Sequence, residues 1–122
     1  MRVLVVDYSE TCRETIRSHL REIGIEKIDE SETGIGAINR IKRLPQSTKY
    51  DIITVDVSMP RQEGLHILKD MTLLSHESKI IVCSSKNDIR TVKIAMGFGV
   101  NGYIIKPFTR ERFLETFLKL YT

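Results

Sequence analysis

Two stretches of this chain, "VLVVD" at residues 3–7 and "YDIITVD" at residues 50–56, share one construction: a run dominated by aliphatic and β-branched residues that stops on an acid. A run of four or five β-branched and aliphatic residues without polar alternation is what a strand buried on both faces looks like, and parallel strands are buried in that way. The same kind of run recurs as "KIIVCSS" at residues 79–85 and "GYIIK" at residues 102–106, with a weaker "KIDES" at residues 27–31. Between the runs the apolar period changes from continuous to helical. Cys12, Ile16, Leu20 and Ile23 mark a first helix, stopped at Gly24. Ile35, Ile38 and Ile41 mark a second, ended by Pro45, and Leu65, Leu68, Met71 and Leu74 mark a third. Ile89, Val92 and Met96 mark a fourth, closed by Gly97 and Gly99, and Phe113, Phe117 and Leu120 mark the last. The Met and Phe stripes read as core. Five strand–helix units in 122 residues imply one α/β domain over residues 1–122. Its sheet is parallel and its helices cover both faces, because strand–helix–strand crossovers are right-handed.

Composition narrows the function classes. Lys and Arg total 19 against 16 Asp and Glu, a net charge of +3. The densest basic group, Arg40, Lys42 and Arg43, falls at the end of a helix and reads as a solvated face, so no nucleic-acid footprint is expected. No apolar run approaches the roughly 20 residues of a membrane span, and the opening residues do not read as a signal peptide, since Asp7 interrupts them. Cys12 and Cys83 lack metal-type spacing, and a reduced cytoplasmic protein is the simpler expectation. His19, at the edge of the first helical stripe, reads as a partly buried core histidine, because no second His or Cys is placed to share a metal with it.

The chemistry lies at the carboxyl ends of the strands, where open α/β sheets bind their ligands. Strand one ends at Asp7, strand three at Asp56, strand four at Ser84 and Ser85, and strand five at Lys106 before Pro107. Taken singly, an acid or hydroxyl there is a helix cap and a lysine is a surface lysine. Taken together they are a site. Two carboxylates at close range repel unless a lysine or a metal cation sits between them. Hard oxygen donors suit Mg²⁺, and a lysine beside a hydroxyl suits a phosphoryl group. A carboxylate can itself be the nucleophile that takes that group. Asp56 is the better candidate, because it follows the most apolar strand and precedes a turn-forming loop, "VSMPRQEG", with Pro60 and Gly64.

At "VLVVD", "DVSMPRQEGLHIL", "VCSS" and "GYIIKPF" the chain resembles the CheY-like receiver domains of bacterial response regulators. The resemblance implies a flavodoxin-like (βα)5 fold with strand order 2-1-3-4-5. It also implies a two-component signalling protein, related to those of chemotaxis, rather than a conventional enzyme. Asp56 would accept a phosphoryl group from a sensor histidine kinase or phosphotransfer protein. Asp7, Asp56 and the Ser58 backbone carbonyl would hold Mg²⁺, Ser84 and Tyr103 would form the switch, and Lys106 would contact the phosphoryl oxygens. The output surface would be helix four, strand five and helix five, read by a downstream protein, from a monomer or weak dimer. An X-Pro bond is cis in only about 5–6% of folded cases, yet the resemblance implies a cis Lys106–Pro107 bond. Ser58 and Lys86, each two residues beyond a strand-end group, are placed to overhang the phosphoryl group.

The sequence departs from the family at two places. Glu63 stands where Asp-Gly is usual, and Tyr8 stands where receivers carry a second acid. Position 8 therefore offers a neutral phenol at the expected metal edge. Two other readings follow: a pseudo-receiver acting as a phosphorylation-independent interaction module, and a small flavodoxin-like redox protein. The first is opposed by Asp56, Ser84 and Lys106. The second is opposed by Cys12, which occupies a place where a phosphate loop wants glycine.

Overall fold

In the computed structural model, residues 1–45, 47–58 and 64–120 are described. Five strands and five helices alternate strictly: β1 Arg2–Val6, α1 Glu10–Glu22, β2 Lys27–Ser31, α2 Gly34–Arg43, β3 Ile52–Val55, α3 Gly64–Leu74, β4 Lys79–Ser84, α4 Ile89–Gly97, β5 Gly102–Ile105 and α5 Arg110–Lys119. The strands form one parallel sheet in the order β2-β1-β3-β4-β5. The chain runs outward from β1 to β2, then returns across β1 to β3. The crevice of such a sheet opens where the order reverses, beyond the carboxyl ends of β1 and β3. Asp7 and Asp56 follow those two strands.

Alternate strand residues feed opposite faces. Leu4, Val6, Ile53, Val55, Ile80 and Val82 face one layer, filled by Ala37 of α2, Ile67, Leu68 and Met71 of α3 and Ala95 of α4. Val3, Val5, Ile52, Ile81, Cys83 and Ile104 face the other, filled by Ile16 and Leu20 of α1 and Phe113, Leu114 and Phe117 of α5. The central strands lack polar alternation because each must serve both layers. His19 lies in the second layer with its ring 5.7 Å from that of Phe113. Cys12 and Cys83 are free, and burial pushes the Cys83 thiol well above its ordinary pKa, so it stays neutral.

Helices α1, α2, α4 and α5 are capped as their sequences dictate: the Ser9, Thr33, Asp88 and Thr109 side chains accept from the backbone N–H three residues on. Gly24 and Gly99 take φ +89°, where a side chain would be strained. Gly64 meets a different demand, since a Cβ there would lie 2.0 Å from the Val57 carbonyl oxygen, and the loop after β3 closes only on glycine. Pro60 and Glu63 of that loop lie outside the described residues.

Three residues of two helical stripes face outward, against what the apolar spacing predicts, while Ile38 and Ile41 of α2 pack on the core as expected. Ile35 is 61% exposed, and Ile89 and Met96 are 72% and 47% exposed, so none of the three is core. On α2 the inner face begins with Gly34 and Ala37, and a Cβ at Gly34 would come within 2.6 Å of Ile67. Close approach to α3 selects the small residues and turns Ile35 outward. On α4 Ala95 is the buried residue, Thr91, Val92 and Ile94 are half-buried, and the C-cap Phe98 packs on the core, which leaves Ile89 and Met96 in solvent. Leu74, at the end of α3, is also partly exposed.

Candidate functional site

The sheet ladder continues one residue beyond the strands and so fixes the site residues. The backbone N–H of Asp7 donates to Ser31 O (3.0 Å), that of Asp56 to Val6 O (3.0 Å), and that of Lys106 to Ser84 O (2.9 Å). The Lys106–Pro107 peptide bond is cis, as the resemblance implies. Lys106 Nζ then donates to Asp7 Oδ2 at 2.6 Å and to Asp56 Oδ2 at 2.7 Å. The two acids and the lysine thus converge, across three strands, into one ion-pair cluster.

Each carboxylate is held twice. Asp7 Oδ1 accepts from the Ser9 N–H at 2.9 Å, and Asp56 Oδ1 accepts from the Ser58 N–H at 2.6 Å. The two differ in access: the Asp7 side chain is 2% exposed and that of Asp56 is 11%. Burial alone would disfavour the Lys106 ammonium. Its hydrogen bonds to Asp56 and Asp7, with their charges, outweigh burial and raise its pKa above the ordinary lysine value. The lysine is charged at neutral pH and sits between the two acids. Among the described residues no group of three or more His, Cys, Asp or Glu gathers at any point.

Hydroxyls border the cluster on the β4 side. Ser84 is fully buried and its Oγ hydrogen-bonds to Ser58 Oγ, which also meets Ser85 Oγ at 3.1 Å. Ser84 Oγ accepts from the Lys86 N–H at 3.1 Å. Tyr103 packs against the α2–α4 layer and donates its hydroxyl to the Lys86 carbonyl at 2.6 Å. Burial raises the Tyr103 phenol, which is neutral at physiological pH. The β3, β4 and β5 ends are thereby linked through Ser58, Ser84, Lys86 and Tyr103.

Tyr8 turns its side chain to solvent, at 64% exposure, and contributes its carbonyl instead, which accepts from Arg13. Arg13 and its partner Glu30 belong to the site's surroundings and do not stand out by motif. The one sequence signal for Arg13 is a cation in the first turns of α1, next to the positive end of a helix dipole, where an acid is the favoured choice.

The sequence model of the response regulator receiver domain family matches residues 3–118. The chain belongs to that family. It is 32% identical over 119 residues to the chemotaxis protein CheY of Thermotoga maritima, covering 98% of this chain and 96% of that protein. It is 31% identical over 118 residues to the chemotaxis protein CheY of Bacillus subtilis, covering 97% and 95%. A solved signal receiver domain of two-component signal transduction from Clostridium thermocellum superposes with a TM-score of 0.86 at 24% identity, covering 98% of this chain and 95% of that one. The protein is a CheY-like signalling receiver, not a conventional enzyme. No helix among its described residues is long and apolar enough to cross a membrane.

Proposed function

We propose that Asp56 accepts a phosphoryl group from a phosphohistidine of a sensor histidine kinase or phosphotransfer protein. The observation that carries this is the Asp7–Lys106–Asp56 cluster, in which Asp56 is the more accessible of two carboxylates sharing one lysine. An Asp56 carboxylate oxygen attacks phosphorus in line. The P–O bond forms as the P–N bond breaks, and the departing imidazole nitrogen keeps the electron pair. Lys106, already at 2.7 Å from Asp56, is placed to follow the new phosphoryl oxygens and offset their charge.

The donor set fits Mg²⁺, a hard cation usually bound through one or two carboxylates together with phosphate oxygens and water. Asp7, Asp56 and the Ser58 carbonyl would hold it, and when bound it supplies charge neutralisation for the transferred group. Ser84 reaches the phosphoryl group by giving up Ser58 and donating to a phosphoryl oxygen. That moves the β4–α4 loop, to which Tyr103 is tied through the Lys86 carbonyl. The outcome is a population shift of the α4–β5–α5 surface. There Ile89, Met96 and Ile105 already offer apolar contact to a downstream protein. Residues 1–122 act as one receiver domain in this scheme, with chemotaxis-like signalling in the cytoplasm as the setting.

The test is direct. Incubation with Mg²⁺ and a small phosphodonor should add one phosphoryl mass to the intact protein, and Asp56→Asn should abolish it. An adduct of unchanged yield in that variant would overturn the assignment.

A further inference from the structure

The β1–α1 loop carries Asp7 but no second acid, so the placement of that one carboxylate rests on whatever holds the loop. Arg13 does so from behind. Its NH1 donates to the Asp7 carbonyl at 2.7 Å and to the Tyr8 carbonyl at 3.2 Å. Its Nε donates to Glu30 Oε1 at 3.2 Å, and the other Glu30 oxygen accepts from Arg17. Glu30 stands on β2 directly beside Val5 of β1, and the next β2 residue, Ser31, accepts from the Asp7 N–H. The Arg13 side chain is 14% exposed, so its bonds to Asp7 and Glu30 are partly shielded from water. The Asp7 carbonyl belongs to the peptide before Tyr8 and the Tyr8 carbonyl to the peptide before Ser9, whose N–H holds Asp7 Oδ1.

We infer that Arg13 is a positioning residue for Asp7, with Glu30 and Arg17 fixing its guanidinium. This rests on the reading of Asp7 as a metal-site carboxylate and adds how it is aimed. The planar fork is essential. One terminal nitrogen reaches two carbonyls while Nε keeps Glu30, and a lysine, with a single point of charge, cannot do both. The competing view is a plain structural staple, whose loss lowers stability and nothing else.

The experiment compares the parent with Arg13→Lys and Glu30→Gln in two ways. The first is Mg²⁺ titration, followed by amide chemical shifts and needing no phosphodonor. The second is metal-free hydrogen exchange at the Ser9 amide, with the Asp56 amide, bonded to Val6 O, as an internal control. Arg13→Lys should weaken Mg²⁺ binding about tenfold, as loss of a group that orients a ligand typically does. It should also speed Ser9 exchange while leaving Asp56 unchanged. Glu30→Gln should move both quantities the same way by a smaller factor. Parent-like values in Arg13→Lys would overturn the inference. So would exchange that accelerates equally at Ser9 and Asp56, which would mark a general loss of stability. A parent protein that takes no phosphoryl group would remove the reading of Asp56, and Ser9 exchange would still decide the role of Arg13.

Discussion

Asp7 and Asp56 are the same residue type at the ends of neighbouring strands, bonded to the same lysine, yet the two sides of the site are built differently. The Asp7 side is an ionic frame: a nearly inaccessible carboxylate, an arginine on its loop carbonyls and a glutamate behind the arginine. The Asp56 side is a chain of exchangeable hydroxyls: Ser58 bonds both Ser84 and Ser85, and Tyr103 closes the series on the Lys86 carbonyl. Charged bonds among partly buried groups are costly to break, while one hydroxyl replaces another at little cost. One side is fitted to stay put and the other to rearrange.

The most severe way to break this comparison is to exchange the two acids' fates. Asp56→Asn should remove the phosphoryl adduct entirely. Asp7→Asn should leave a modifiable protein that needs more Mg²⁺ and reacts more slowly. Initial rates of adduct formation across a Mg²⁺ series check both. Removing the shared lysine comes next. Lys106→Met leaves two poorly accessible carboxylates without their cation, a change that costs about 3–5 kcal/mol when a buried partner is lost. Denaturant unfolding at neutral pH measures it, and the accompanying Asp56→Asn/Lys106→Met double variant should recover part of the loss.

The strand ends were legible in the sequence for a plain reason. A strand serving two core layers shows no polar alternation, so the acid where "VLVV" or "IITV" stops marks the end of the strand and the start of the site. The strand order was not legible from the runs and came from family resemblance. Helix faces were less legible still. Ile35, Ile89 and Met96 satisfy an apolar period, but Gly34, Ala37 and Ala95 choose the inward face by permitting close approach, and small residues carry little hydrophobic signal. The Arg13–Glu30 contact spans α1 and β2 and exists only because β1 and β2 pair in the register that sets Val5 beside Glu30.

Smaller effects sharpen the contrast. Tyr8→Asp should restore a carboxylate to the fixed side. It should tighten Mg²⁺ several-fold and, by carboxylate repulsion, lower the metal-free melting temperature. Unchanged Mg²⁺ affinity would show that position 8 does not reach the metal, in keeping with its exposed ring. On the responsive side, Ser58→Ala frees Ser84 from its present partner. It should favour the phosphorylated conformation by about twofold to tenfold, the worth of one hydrogen bond, and alter the dephosphorylation rate. Lys86→Ala should change that rate as well, and parent-like decay in both variants would contradict the placing of these side chains over the phosphoryl group.

The pH effect is the smallest. Lys106 has a folded-state pKa raised above its unfolded value of about 10.4. Its ammonium therefore contributes full stability below that pH and loses it only as pH rises from there through the raised folded value. Between pH 6 and 9 the parent and Lys106→Met should show parallel stability profiles, converging only at strongly alkaline pH.

The division of labour between the two acids is tested most directly by locating the phosphoryl group. After reaction with Mg²⁺ and a small phosphodonor, borohydride trapping of the acyl phosphate followed by peptide mapping reports which carboxylate was modified. The expected result is label on the peptide containing Asp56 and none on that containing Asp7. Label on Asp7, or shared between the two, would contradict the account of one fixed and one reactive carboxylate.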